Sequence, residues 1–295
     1  MVSLIVWILI VCIIGLLSLI VYQLYQTGDR LVWRDNLLGG SIGLVTDFLD
    51  TLGVGSFVTT TTLFQVTNYL DDERNLPGTM NIAHAIPTIT EALFFVTIVK
   101  VDPTTLITMV LAAVVGSLIG SEVVVRLDQA MIQKIMAIAL IVTSILMAIN
   151  KMGWVSILAI HNNAMGLTGW PLAIGIGGNF VLGMLMSAGV GLYAPCMVLV
   201  YFLGLKPIAA FPIMMLSCAL LMPAVSLNFV RTKRYSLRGI LGFIAGGVIG
   251  VVIAATLVKS LSLAVLGWLI VAVSCWTAFQ LWKSAIKINR IDKMI

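Results

Sequence analysis

Two carboxylates and a cluster of hydroxyls interrupt a stretch that is otherwise apolar from Leu37 to Val66: Asp47-Phe-Leu-Asp50-Thr-Leu-Gly53-Val-Gly55-Ser56-Phe-Val-Thr59-Thr60-Thr-Thr62. An ionisable group inside a membrane-length apolar run is costly, so it is a functional candidate by default. Asp50, and behind it Asp47, are therefore candidate coupling residues, able to take up and release a proton or hold an ion. The plainer reading is that the run is broken there, and that the carboxylates meet water or cap a half-helix. Glu91 lies in the middle of a later apolar run, with His84 two turns before it. A carboxylate and an imidazole in one span can relay protons, and they can equally pair with a neighbouring helix for structural reasons. Glu122, near the end of its run, is expected to be wet.

The glycines of this stretch recur. Gly53 and Gly55 fall on Gly189 and Gly191 at an offset of 136 residues, and Pro87 falls on Pro223 at the same offset. The second copy reads Gly183-Met-Leu-Met-Ser187-Ala-Gly189-Val-Gly191-Leu-Tyr193-Ala-Pro195-Cys196. Two helix-breaking Gly-x-Gly sites, each inside an over-long apolar run, predict opened backbone near the bilayer midplane. Backbone N–H groups at the start of each following half-helix then favour an anion. Ser56, Thr59, Thr60, Ser187 and Tyr193 are candidate hydroxyl donors to it, although each can instead satisfy its own helix. Cys196 can touch a sulfur-containing solute or simply pack. Pro87 and Pro223 are expected to kink two helices lining one cavity. Asn179 and Asn228 need partners, either across helices or in the site.

These residues sit in a chain of 295 residues, 60% hydrophobic and 10% charged, with mean hydropathy +1.12. Soluble domains carry about 25% charged residues, so the composition is that of an all-helical integral membrane protein in a lipid bilayer. Cys12, Cys196, Cys218 and Cys275 all lie in apolar runs without metal-ligand or redox spacing, and read as buried hydrophobes. Between 129 and 291 there is no Asp or Glu, so carboxylate coupling must use the first half. The net charge of +5 fits cytoplasmic loops better than nucleic acid. No HExxH, P-loop or nucleophile elbow is present, so neither an enzyme nor a cofactor is expected.

The elements that must position these groups follow from length. Residues 1–26 form an extra first helix, with Leu4 to Tyr25 long enough to span and without signal-peptide features. Residues 37–150 form one repeat: the broken run Leu37 to Tyr69, a span from Leu76 to Val99, a span from Thr104 to Val125 carrying Gly116-x-x-x-Gly120, and a span from Gln133 to Asn150. Residues 151–169 connect, with Trp154, His161, Asn162 and Asn163. Residues 170–283 repeat the order: the broken run Pro171 to Leu203, Pro207 to Val230, Ser236 to Leu257 with Gly246-x-x-x-Gly250, and Leu261 to Trp282. Residues 284–295 form a basic tail.

About nine transmembrane segments result. If the broken runs cross, the halves are parallel repeats and the lysines and arginines divide 12 inside to 5 outside. If they are re-entrant, the halves are inverted repeats and the division is 13 to 4. Both arrangements put the N-terminus outside and the C-terminus in the cytoplasm. The inverted arrangement is favoured because it supplies alternating access.

Gly53-Val-Gly55 and Gly189-Val-Gly191-Leu-Tyr-Ala-Pro195, each opening half of a duplicated apolar chain, resemble the TauE/SafE sulfite-exporter family of membrane permeases. So do Ala209-Ala210-Phe211-Pro212 and Pro223. The resemblance implies a bacterial cytoplasmic-membrane permease for sulfite, an organosulfonate or another small sulfur-containing or carboxylate anion. The expectation is an anion transporter working by alternating access with proton coupling, its two halves meeting at one site. A membrane scaffold whose glycines serve packing alone, and an anion channel, are the alternatives; self-association is left open.

Overall fold

Glycine, proline and polar caps divide the chain into ten α-helices over the residues that the structure, a computed structural model, describes: 2–27, 32–52, 55–153 and 163–257, with 275, 278, 279, 282, 283 and 286 beyond them. They are α1 (Val2–Thr27), α2 (Trp33–Thr51), α3 (Ser56–Thr67), α4 (Leu76–Ile98), α5 (Pro103–Val124), α6 (Gln129–Lys151), α7 (Gly169–Ser187), α8 (Tyr193–Phe202), α9 (Ala210–Arg231) and α10 (Ile240–Leu257). Among the described residues there is no β-strand, only an isolated bridge between Ala164 and Leu205. The helices α1, α5, α7 and α9 are long and apolar enough to cross a bilayer. Gly53, Trp154, His161, Asn162, most of the span expected over 261–282 and most of the tail lie outside the described residues.

Both over-long runs are broken. The first parts into α2 and α3 around residue 55, the second into α7 and α8 over 188–192. The breaks are set by left-handed glycines, Gly55 at φ 89° and Gly189 at φ 93°, a conformation costing an L-residue about 1–2 kcal/mol. At the end of α7 the Val190 N–H donates to the Leu185 carbonyl and the Gly189 N–H to that of Met186. This double closure satisfies the Leu185 and Met186 carbonyls at the end of the helix. Asn68 at φ 48° closes α3 in the same way.

Each second half-helix turns back along the first. Ser56 at the start of α3 bonds Asp50 in α2, while Tyr69, just past the end of α3, reaches Gly39 near the start of α2. In the other pair, Leu199 of α8 lies on Gly178 and Leu203 on Gly175, and the Lys206 N–H donates to the Ala164 carbonyl at 2.8 Å, just ahead of α7. Both broken runs are helical hairpins whose exits lie beside their entrances.

Each hairpin is seated on a distant helix. Gly39 and Gly43 of α2 face the carbonyls of Gly239 and Phe243, while Gly242, Gly246 and Gly250 of α10 face those of Asn36, Gly40 and Leu44. Gly116 and Gly120 of α5 face the carbonyls of Phe180 and Met184 in α7, and Gly183 answers with Ala113. A Cβ at any of these glycines would overlap backbone oxygen, so the helices run in parallel at a separation only small residues permit. Between the seams, α4 packs on α9, each with an internal proline, Pro87 and Pro223.

Contacts sort the helix ends into two faces. One gathers the starts of α2, α4 and α10 and the end of α9: Gly78 lies against Arg234, and Thr79 Oγ1 accepts from the Ser236 N–H at 2.9 Å. Arg238 there bonds Asp35 at 3.0 Å and covers the Tyr69 ring. Its hydrogen bond to the Asp35 carboxylate holds the guanidinium pKa above its ordinary value, and burial pushes the Tyr69 phenol up. The other face gathers the starts of α5 and α7, where the Asp102 N–H donates to the Met165 carbonyl and the Leu167 N–H to Thr105 Oγ1, both at 2.8 Å.

Candidate functional site

The broken ends of the two hairpins meet beside the middle of α4, and three carboxylates gather there. Asp50 closes the first break: its Oδ1 accepts from the Ser56 N–H at 2.6 Å and its Oδ2 from the Ser56 hydroxyl at 3.0 Å. The residue just ahead of α3, Gly55, has no side chain to offer, so the cap comes from the end of α2 across the turn. The carboxylate fills the place at the N-terminus of α3 where a bound anion would sit.

Glu91 ties both hairpins to α4. Its Oε1 accepts from the Thr51 hydroxyl and its Oε2 from the Tyr193 phenol, both at 2.7 Å. Thr51 is the last residue of α2 and Tyr193 the first of α8, so one side chain spans the two breaks. Asp47 bonds His84 Nδ1 through Oδ1 at 2.7 Å, and His84 Nε2 is 2.8 Å from Thr60 Oγ1. His84 is further wedged by Phe57 and Phe243.

Asp47, His84 and Glu91 are wholly buried, and Asp50 nearly so. Among the described residues no lysine or arginine is buried with them. Three carboxylates with one imidazole and no fixed cation carry excess negative charge in a poorly solvated place, which is relieved by binding protons or a cation. Between the breaks lies a small cavity lined by Asp50, Ser56, Gly191, Tyr193, Met186 and Met222 among others.

The hairpin breaks thus bring together Asp47, Asp50, His84, Glu91, Ser56, Thr60 and Tyr193. Gly191 sits across from Phe57, and Cys196 is buried one turn into α8. Thr59 and Ser187 are close by in sequence, but their hydroxyls bond their own helices, at the carbonyls of Ser56 and Met184. Asn179 and Asn228 tie helices away from the breaks, Asn179 to Met109 and Ser217, Asn228 to Ser121. Glu122 stands at the surface with Arg126.

Thr51 was not singled out from the sequence, because a threonine in a membrane helix usually back-bonds to its own carbonyls. Thr51 Oγ1 lies 2.9 Å from such a carbonyl, that of Asp47, and shares its single proton between it and Glu91 Oε1. Its position, next to Asp50 and just ahead of the glycines, is the signal that marks it.

Residues 1–147 match the family model of the sulfite exporter TauE/SafE, which covers α1 and the whole of the first hairpin site. No curated protein matches the chain. The family match and the apolar helices together support a multi-pass membrane protein of a transporter family.

Proposed function

We propose, from the premise that residues 1–147 belong to the sulfite exporter TauE/SafE family, that this protein is a secondary transporter. It moves a small anion, sulfite or an organosulfonate or a related carboxylate, across the cytoplasmic membrane by alternating access. The observation that carries this reading is that Asp50 occupies the N-terminus of α3 while Glu91 holds the breaks of both hairpins.

Those contacts suggest how a proton and an anion exchange places. As a carboxylate, Asp50 competes with any anion for the Ser56 amide. A proton on Asp50 removes the competing charge and frees that amide for the solute. Position 186, the counterpart of Asp50 in the second half, is Met186. The α8 N-terminus therefore has no carboxylate of its own at that position, and it offers the solute its second set of amides. Tyr193, bonded to Glu91, reports the protonation of α4 to that end.

Inverted repeats are favoured by the helix ends. The first hairpin starts and finishes on the face that carries Arg234 and Arg238, the second on the face that carries Lys206. Seven crossings and two hairpins give nine segments if 261–282 spans. Arg74, Arg231, Lys233, Arg234 and Arg238 mark the first face as cytoplasmic, with the N-terminus outside.

Thermal stability of the purified protein against sulfite, sulfonates, thiosulfate, sulfate and small carboxylates tests the reading. A solute bound only by the folded state at 100 times its dissociation constant adds about 2.7 kcal/mol. A selective shift, matched by flux of the same anion into proteoliposomes, is expected. A flat panel together with no flux of any of these anions would overturn it.

A further inference from the structure

Four polar residues of α4 share one face. Asn81, His84, Thr88 and Glu91 follow at spacings of three and four residues, and all are wholly buried. At 3.6 residues per turn they occupy an arc of about 80°. In a helix crossing a membrane, such a stripe must be bonded throughout or serve something other than packing.

It is not bonded throughout. Asn81 Oδ1, Thr88 Oγ1 and Asp47 Oδ2 are buried without a hydrogen-bond partner. Asp47 is fastened to the stripe through His84, and its orphaned oxygen projects with the Pro87 ring towards the space that Gly247 leaves open. Pro87 has no N–H, so the Ala83 carbonyl one turn back has lost its helical donor. These atoms mark successive levels along α4. Neighbouring turns are about 5–6 Å apart, which one water bridges with two hydrogen bonds of about 2.8 Å.

The stripe lies between a wet face and the site. Six residues before Asn81, about 9 Å of helical rise, Asn75 lines a cavity of about 740 Å³ with Asp35, Asp71, Lys233 and Arg238. At the other end is Glu91. The titratable groups facing the stripe are Asp47 and Asp50 of α2 and Tyr193 of α8, with Cys196 of α8 and Cys218 of α9 behind them. The helices α3, α7 and α10 bring none, and α1 brings the partly buried Cys12.

We propose that this stripe is the proton path between the basic face and Glu91, with Asn81 and Thr88 as its working side chains. It rests on the proton-coupled reading above. Hydronium at the cavity is the donor and water the carrier. At each hop one O–H bond breaks and another forms: from water at Asn81 Oδ1 to the Asp47 carboxylate, from there through water to the Thr88 hydroxyl, which releases its own proton towards Glu91. The Glu91 carboxylate ends as the neutral acid. His84 has both ring nitrogens engaged, so it holds Asp47 in place and borders the path.

The test needs no solute. In oriented proteoliposomes holding the full chain, the pH is dropped at the basic face and the carboxylic-acid C=O band is followed by time-resolved infrared difference spectroscopy. Glu91→Gln identifies the band of Glu91. Thr88→Val and Asn81→Leu are expected to slow its rise about tenfold, the factor that about 1.4 kcal/mol makes in a rate, with its final amplitude unchanged. Thr88→Ser restores the hydroxyl and the rate. Thr90→Val, which loses only a bond to the Ile86 carbonyl of its own helix, leaves it unaltered. A Glu91 band whose rise is unchanged in both slow candidates would overturn the path and leave the coupled transporter standing. Absence of any band lost in Glu91→Gln would overturn proton coupling at Glu91, and the path with it.

Discussion

The phenol of Tyr193 donates to Glu91 Oε2 at 2.7 Å, with Glu91 fully buried and Tyr193 nearly so. The first turn of the second hairpin's returning helix is thereby fixed to the middle of α4, across 102 positions of sequence. Tyr193→Phe deletes one hydroxyl and leaves the ring. A buried acceptor deprived of its donor costs about 1–3 kcal/mol, so a loss of that size is expected in detergent unfolding. Sulfite flux in proteoliposomes should fall by more than the folded fraction does.

Asp50→Asn keeps an acceptor for the Ser56 amide and removes the charge that competes with an anion there. The variant should fold, and its stabilisation by an organosulfonate, whose own charge does not change with pH in ordinary buffers, should lose the pH dependence of the parent. On the proposed exchange, stabilisation of the parent by the same sulfonate should fall as the pH rises, since a charged Asp50 competes for the Ser56 amide. Thermal shifts at two pH values with and without the sulfonate decide it.

The glycine seams predict a contrast within one residue type. A methyl at Gly43 would meet the Phe243 carbonyl, whereas at Gly177 it would meet nothing within 4 Å. Gly43→Ala should cost about 1–3 kcal/mol from overpacking. Gly177→Ala should be neutral or stabilise by about 0.5–1 kcal/mol, as expected inside a helix. Unfolding midpoints of the two variants measure the difference.

Gly189 and Gly191 should also part company. Gly189→Ala forces an L-residue to φ 93° and should lose about 1–2 kcal/mol. Gly191 is not left-handed, and a methyl there meets only the Phe57 Cβ at 3.9 Å. Gly191→Ala should therefore keep stability while narrowing the cavity between the breaks, weakening sulfite-induced stabilisation.

Charge was the legible part of this molecule. Asp47, Asp50 and Glu91 stood out because carboxylates are rare in apolar runs, and the glycines located both breaks. What the glycines did not reveal is where the strain falls: by sequence offset Gly55 matches Gly191, whereas among the described glycines of these motifs the left-handed ones are Gly55 and Gly189. Hydroxyls were ambiguous for a local reason. Thr59 and Ser187 spend theirs on their own helices, while Thr60 and Thr51 reach His84 and Glu91. That choice depends on side-chain direction at a packed interface, which spacing does not encode. The seams were half legible, since Gly-x-x-x-Gly announces close approach without naming the partner. The partner of α5 is α7 and that of α10 is α2, and no short-range pattern contains that pairing.

The pairing of α2 with α10 has a consequence for how the chain is made. The helix that carries Asp47 and Asp50 is complete at residue 51, and its partner begins at residue 240. At about 5–20 residues per second of synthesis, roughly 10–40 seconds separate the two. Through that interval the glycine face of α2 is without the helix it was shaped to meet. The nascent chain must hold a hairpin bearing buried acids beside the insertion machinery until its last fifth arrives. Shortened chains that stop before residue 240 are therefore expected to be cleared by membrane proteases, even though they contain every acidic residue of the site.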